Sequence, residues 1–484
     1  MQNGSHAIVI GGSVAGLCAA RVLSERFERV TVLDSDHFPQ DAQHRKGVPQ
    51  SRHPHAMLDA GRRELERLFP GFEKLCRERG ALELNPGRDM ATLRQAGWSV
   101  RGDTPFTLLF ASRVLIERVI RDLTAKLPNV TLLEGVDVTA LRTAGASSED
   151  GALRATGVTA RSDDGQVTEL DAEFVVDASG RATRAPDWLE KLGLPAVDMT
   201  VVDASAGYSS RWYQGPRGDA RPESWWWKCL WIEPLVEGAA RPEEQYFGVL
   251  FPVEDDRWVV TTASWGGREL ARDPESFDRM ISKLRTPLLA EAIAQAEPIS
   301  PVFARRGMQN SWRHYETWRG ALAGFIATGD AVCGFNPVYG QGMSSASKCA
   351  RVLEESLAVE DPLDPEFPAR FFRAQARFLE IPWTMAVSRD RQQARIESED
   401  AAAPRRLEVL VRKLGAFAMR QIAMAAVDDR EIGRALFEVV NLTRTPRQLL
   451  GDPAVLARVA RARLRQIVRP KQIVEDEIPD YPPA

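Results

Sequence analysis

Apolar and polar positions recur along the chain with two different periods, and the switches between them define the predicted elements. Residues 6–36 read as one βαβ unit. His6–Ile10 is a short apolar strand, Gly11–Gly16 a turn, Leu17–Phe27 carries helical spacing, and Arg29–Leu33 is a second strand ending on Asp34. Residues 37–56 are rich in Pro, His and Arg without a period, which predicts an ordered loop. Helical spacing returns over 57–80 and 112–127, the latter placing Leu115, Val119, Ile120 and Leu123 on one face. Strands follow at 130–135, 154–161 and 174–179.

From about 200 to 310 the texture changes to short alternating runs, such as 246–253 and 257–265, that predict an antiparallel sheet. It is interrupted by Trp225-Trp226-Trp227 and Trp231. A buried strand is predicted over 320–328, then a glycine-rich segment and a helix over 343–357. Residues 361–470 read as helical. Arg406–Val427 sets Leu407, Leu410, Val411, Leu414, Phe417 and Ala418 on one face, and Asp452-Pro453 supplies the cap and first turn of a basic helix reaching Arg469. The tail, 471–484, is predicted to be disordered.

Composition narrows the class. Among 484 residues, 44% hydrophobic and 27% charged suits a globular protein with an ample core. Lys and Arg (63) nearly balance Asp and Glu (67), a net charge of −4, so a nucleic acid is not the expected partner. No run of 18 apolar residues offers a transmembrane segment, and no basic-then-apolar leader opens the chain. Five scattered cysteines with no CxxC argue against a disulfide framework or a zinc site, which together predicts a cytoplasmic protein. His44, His53 and His55 have no acidic or thiol partner at ligand spacing, so no metal is expected.

The chemistry sits at the ends of two predicted strands. Gly11-Gly12-Ser13-Val14-Ala15-Gly16 is a relaxed GxGxxG: Gly11 for the tight turn, Ser13 small enough for backbone to approach a pyrophosphate, Gly16 for close helix–strand packing. The helix start then offers unpaired N–H groups to phosphate. Asp34, 18 residues past Gly16, stands near the spacing of a carboxylate that accepts ribose hydroxyls; the plainer reading is a strand-end carboxylate. Gly329-Asp330 ends the later strand, with Pro337, Gly340 and Gly342 before the next helix, a second place where backbone can approach a ligand.

These motifs, with Asp177-Ala178-Ser179-Gly180-Arg181 after a central strand, resemble the fingerprint of FAD-dependent monooxygenases of the p-hydroxybenzoate-hydroxylase-like fold. The loop 44–55 (HRKGVPQSRHPH) and 335–346 (FNPVYGQGMSSA) are similar to the bacterial polyether epoxidases of the monensin and lasalocid type. The resemblance spans roughly residues 6–390. It implies an α/β fold with a Rossmann-like FAD-binding domain (1–80, 105–195 and 300–360), an antiparallel-sheet substrate domain (81–104 and 196–299) and a C-terminal helical region (361–470).

The resemblance also implies the site. Gly11, Ser13 and Gly16 would cradle the FAD pyrophosphate and Asp34 the adenosine ribose. Arg45 or Lys46 would reach the adenosine or pyrophosphate, Arg113 the ribityl–phosphate region, and the Val138 backbone the adenine. Asp330 would hold the ribityl chain, with Pro337, Gly340, Gly342, Met343 and Ser344 against the isoalloxazine. Trp225, Trp227, Phe251 and Phe335 are candidates for an apolar substrate pocket, although the Trp run reads equally well as packed core. Only one dinucleotide turn is present, so NAD(P)H would act transiently or through a separate flavin reductase. The implied activity is oxygen transfer from a flavin hydroperoxide, formed with O2, to an apolar natural-product substrate of secondary metabolism, with alkene epoxidation foremost. The flavin carries the chemistry, so no protein catalytic residue is assigned. Aromatic-ring hydroxylation, a flavin reductase that saturates isoprenoid double bonds, and a non-catalytic flavin-binding module remain alternatives. The stretch Trp231-Ile232-Glu233-Pro234 lacks the spacing of the flavin-halogenase motif.

Overall fold

The computed structural model describes residues 4–41, 43–55, 57–95, 97–145, 153–235, 246–307, 309–320, 322–394, 406–427, 429–468 and 481–482. The chain forms two compact units, Met1–Arg79 with Ser112–Asp203 and Met308–Ser388, and Gly80–Ala111 with Ala204–Gly307 and Arg389–Ala484. Most of the tail predicted to be disordered, and Arg469 at the predicted end of the basic helix, lie outside the described residues.

The first unit is built on five parallel strands in the order Phe325–Ala327, Phe174–Asp177, Gly4–Ile10, Phe27–Leu33 and Val130–Leu133. Phe174–Asp177 and the last five residues of Gly4–Ile10 are wholly buried. Such near-continuous apolar runs are what a parallel sheet covered on both faces demands. The first helix begins at Val14 rather than Leu17 and ends at Leu23, because the glycine turn itself opens it. Helices Asp59–Leu68, Arg113–Thr124 and Gly342–Val359 complete the part of the unit that bears on the site. The helical pattern over 57–80 divides at Pro70-Gly71, where Gly71 takes φ +89°, into Asp59–Leu68 and Phe72–Glu78.

The strand predicted over 320–328 is two strands. Leu322–Ala323 joins a sheet with Val136–Ala144, Leu153–Ser162 and Val167–Asp171, whereas Phe325–Ala327 joins the parallel sheet. Gly324 makes the switch at φ +73°, where a Cβ would stand 2.6 Å from the Glu173 carbonyl oxygen. An apolar run alone does not reveal such a change of sheet.

The second unit is an eight-stranded, mostly antiparallel sheet. Its central strands are Gly207–Gln214, Arg257–Ser264, Phe247–Val253 and Cys229–Ile232, with Met90–Arg94 added in parallel beside Cys229–Ile232. One face, carrying Tyr213, Trp258, Val260, Leu250 and Leu230, shares a hydrophobic cluster with Phe277, Met280, Leu288 and Leu289 of two short helices, Pro274–Ile281 and Leu288–Ala294. The C-terminal helices of this unit include Arg406–Ala425, Arg430–Val440 and Pro453–Val468. The predicted cap holds: Asp452 Oδ1 accepts from Ala454 N (2.9 Å) and Val455 N (3.2 Å). The apolar face predicted for Arg406–Val427 is not turned inward throughout, since Leu414 and Phe417 are 58% and 61% exposed.

Helix Gly342–Val359 is held close to Asp59–Leu68 by Gly61, where a Cβ would lie 2.4 Å from Ser344 Oγ and 2.6 Å from Ser344 Cα. Backbone on one side of that contact cannot yield. Gly61→Ala is therefore expected to destabilise the protein by about 1–3 kcal/mol, read as a lower unfolding temperature by calorimetry; an unchanged melt would refute the close approach.

Candidate functional site

The glycine turn is tight for two local reasons. Gly11 has φ +103° and a Cβ there would meet the Ala178 carbonyl oxygen at 2.5 Å, while a Cβ on Gly16 would meet the Gly11 carbonyl oxygen at 1.8 Å. Ser13 stands at the N-cap of Val14–Leu23 without capping it. Its Oγ instead accepts from Arg113 Nη2 (2.8 Å) and donates to Glu117 Oε2 (2.9 Å). Helix Gly342–Val359 also begins without a side-chain cap, at Gln341. Helix Arg113–Thr124, by contrast, is capped by Ser112, whose Oγ accepts from Leu115 N at 3.2 Å. Open helix starts leave N–H groups and the positive end of the dipole for an anion.

Glu117 is the centre of the charged network. It is buried and pairs with Arg113 Nη2 (3.0 Å) and Arg45 Nη2 (2.6 Å). Burial opposes its ionisation, yet Arg113 and Arg45 outweigh that and hold its carboxyl below the usual range. Burial pulls the Arg113 guanidinium down, against Glu117. Arg113 Nη1 is buried with no hydrogen-bond partner, and so are Gln341 Oε1 and Ser345 Oγ at the start of Gly342–Val359. A buried cationic N–H without an acceptor is costly unless a ligand supplies one. Beside this network a small hollow is lined by Arg45, Arg113, Glu117, Arg121 and Ser51, among others.

Asp34 joins the network at the end of strand Phe27–Leu33. Its Oδ2 accepts from Gly12 N (2.7 Å), and its Oδ1 from Asp36 N (2.8 Å) and Arg45 Nη1 (3.0 Å). Of the two cations left open by the sequence, the structure brings in Arg45 and leaves Lys46 exposed. The Val138 carbonyl accepts from Arg184 Nη2 in strand Val136–Ala144.

Asp330 lies in a turn, Gly329–Ala331, that meets the first helix, where a Cβ on Gly329 would fall 2.6 Å from the Ala15 Cβ. Its Oδ2 faces Arg181 Nε at 3.5 Å and its Oδ1 is 3.9 Å from the Cβ position of Gly342. Arg181 also donates to the Gln309 and Phe335 carbonyls. Pro337 opens a short 3-10 turn that Gly340 ends at φ +65°. Met343 is buried, and the Ser344 Oγ is turned to Leu58 N (3.2 Å). Asp177 of the DASGR segment is fully buried, its carboxyl pushed up by burial while Ser179 and Thr183 donate to it, so it holds the turn.

The remaining candidates divide. Trp225 and Trp227 stack at 5.0 Å inside the hydrophobic cluster of the second unit, so packing is the reading of the two that their position supports. Phe251 alternates with the core residue Leu250, lies on the opposite face of the sheet and stacks on Phe110 at 4.5 Å. Phe335 is buried in the first unit. Sequence reasoning missed Glu117. Its signal was present, because Arg113, Glu117 and Arg121 at i, i+4 and i+8 form a charged stripe along one side of the helix. His55 Nδ1 lies 2.8 Å from the His53 carbonyl oxygen, and burial, then the Arg113 charge, push its pKa down to about 4. All five cysteines are free and buried, and among the described residues no group of three His, Cys, Asp or Glu could hold a metal ion. Among them, too, no helix is long and apolar enough to cross a membrane.

This parallel sheet, glycine turn and pair of open helix starts define the fold of FAD-binding flavoenzymes of the p-hydroxybenzoate-hydroxylase-like type. Solved structures agree at the level of fold. The probable FAD-dependent monooxygenase PqsL of Pseudomonas aeruginosa matches with a TM-score of 0.57 at 18% identity, over 81% of this chain and 98% of its own. The flavin-dependent brominase Bmp2 matches with a TM-score of 0.62 at 12% identity, over 96% of this chain and all of its own (100%). No family model matches the sequence. The chain belongs to the family of Protein Rv3254 of Mycobacterium tuberculosis, to which it is 33% identical over 393 residues, 78% of this chain and 79% of that protein.

The residues present fit an adenine dinucleotide: the unpartnered Arg113 Nη1 suits a phosphate oxygen, and Asp330 with the open helix start at Gly342 suits a sugar chain and an anionic ring. Glu117→Gln is expected to cost about 3–5 kcal/mol, because buried Arg113 loses its paired carboxylate while Arg45 keeps only Asp34 and Asp36. The cost should be full above about pH 4.3 and shrink as pH falls, since the unfolded wild-type chain then takes up a proton that the depressed native carboxyl accepts less readily. Urea unfolding at pH 7 and pH 3.5 checks this; an equal gap at both would contradict it.

Proposed function

We propose that this chain is an FAD-dependent monooxygenase that adds one oxygen atom to an apolar small molecule, foremost by alkene epoxidation. The observation that carries the cofactor is the buried, unpartnered Arg113 Nη1 beside the uncapped start of Val14–Leu23. In this reading Gly11, Ser13 and Gly16 cradle the pyrophosphate, Asp34 and Arg45 hold the adenosine side, and the Val138 backbone meets adenine. Arg113 and Asp330 hold the ribityl–phosphate region, and Pro337 to Ser344 back the ring. Bound FAD, reduced and given O2, supplies the oxygen-transfer chemistry, with the second oxygen atom leaving as water.

The chain's own residues bind, orient and keep the site dry. Arg181 holds Asp330 toward the helix start, and Glu117 sets the Arg113 fork against Ser13. Phe335 and Met343 are buried near the ring segment and exclude water. An apolar substrate is supported by the sheet face that carries Trp212, Val259 and Phe251, opposite the helix-covered core. Thiol chemistry is disfavoured: burial pushes Cys333 well above the usual thiol range, and Cys349 up to about 12. Electrons would come from NAD(P)H, directly or through a separate flavin reductase, and a cytoplasmic setting would supply both.

Two measurements test this reading. Asp330→Ala should release FAD, seen as loss of the flavin band after desalting while the far-UV spectrum is kept; full retention of colour would contradict the assigned role. Incubation with NAD(P)H, a flavin reductase and a polyene-versus-phenol panel should consume O2 and yield products heavier by one oxygen atom. Substrate turnover without O2 uptake would favour an ene-reductase, and tight FAD with no turnover a binding module.

A further inference from the structure

We propose that the C-terminal helices form a docking face for an anionic lipid surface. Helices Arg406–Ala425 and Pro453–Val468 carry eight Arg and Lys against the single Glu408, in a chain whose net charge is −4. In Pro453–Val468 the buried positions are Val455, Val459 and Ala462, at i, i+4 and i+7. Arg461 and Arg465, with Arg458, which pairs with Asp429 (3.2 Å), at i+3, i+7 and i, therefore form a stripe on the solvent side. Arg461 and Arg465 are exposed and unpaired among the described residues.

Large apolar side chains stand among these cations instead of in a core. Leu464 is 61% exposed, as is Phe417, with Leu414 one turn away at 58%. Arg463 Nε donates to Gln421 Oε1 (2.8 Å), tying the two helices together beside Leu464 and one turn from Phe417. Exposed Leu and Phe interleaved with arginines, with no carboxylate on the second helix, match what an interfacial helix needs: cations for anionic headgroups and apolar wedges for the acyl boundary. A nucleic acid would use the arginines but gain nothing from the leucines. An acidic protein patch would likewise leave them in water.

The test is co-sedimentation of the flavin-loaded full chain with phosphatidylcholine vesicles containing 30% phosphatidylglycerol, against phosphatidylcholine alone. The chain should bind the anionic vesicles only, and about 0.5 M salt should weaken binding because it shortens screening to a few ångströms. Arg461→Gln with Arg465→Gln should weaken binding roughly fivefold per arginine. Phe417→Asp with Leu464→Asp should abolish it, with flavin content and melting temperature unchanged, since both side chains are exposed. No binding to anionic vesicles, binding unaffected by the Asp pair, or tighter retention by duplex DNA or an acidic protein would overturn the proposal.

Discussion

A carboxylate buried between two guanidinium groups is the constraint on which the candidate site depends. Glu117 pairs with Arg45 and Arg113 at once, sharing Arg45 with Asp34 and Asp36, and Ser13 links the same carboxylate to the start of the first helix. Without that counter-charge the two cations would repel one another in a place shielded from water. With it, Arg113 keeps one N–H free of protein acceptors, and that N–H is the group a phosphate can satisfy. The protein thus stores binding capacity as an incompletely satisfied, rigidly held donor rather than as an exposed charge.

Around this network the backbone does most of the remaining work. Gly11, Gly16 and Gly329 bring three chain segments together at distances that exclude any Cβ. Two helices begin there without caps, and the turn at Asp330 packs on the first of them. Segments distant in sequence therefore converge because small residues permit close approach, and the sheet order places their strand ends side by side.

Much of this was legible from residues 6–36, where strand, glycine turn, helix and Asp34 follow in the expected order. The glycine-rich segment after 329 was equally visible, since glycines after a buried strand have few other uses. Less legible were features that depend on three dimensions. The choice of Arg45 over Lys46 is made by Asp34, Asp36 and Glu117 meeting one side chain. The break at Gly324 depends on a carbonyl from a different strand. The Trp run reads alike as pocket or core until its neighbours are known, and the exposed Leu414 and Phe417 sit on a stripe that periodicity alone assigns to the interior.

The most direct measurement is titration of the flavin-free protein with FAD, followed by quenching of flavin fluorescence, in the wild type and in Arg113→Met. The wild type should saturate at one FAD per chain, and the variant should bind at least tenfold more weakly, since a charge-assisted hydrogen bond of roughly 1.5–3 kcal/mol is lost. A wild type that never takes up FAD, or an Arg113→Met protein that binds it as tightly, would contradict the account.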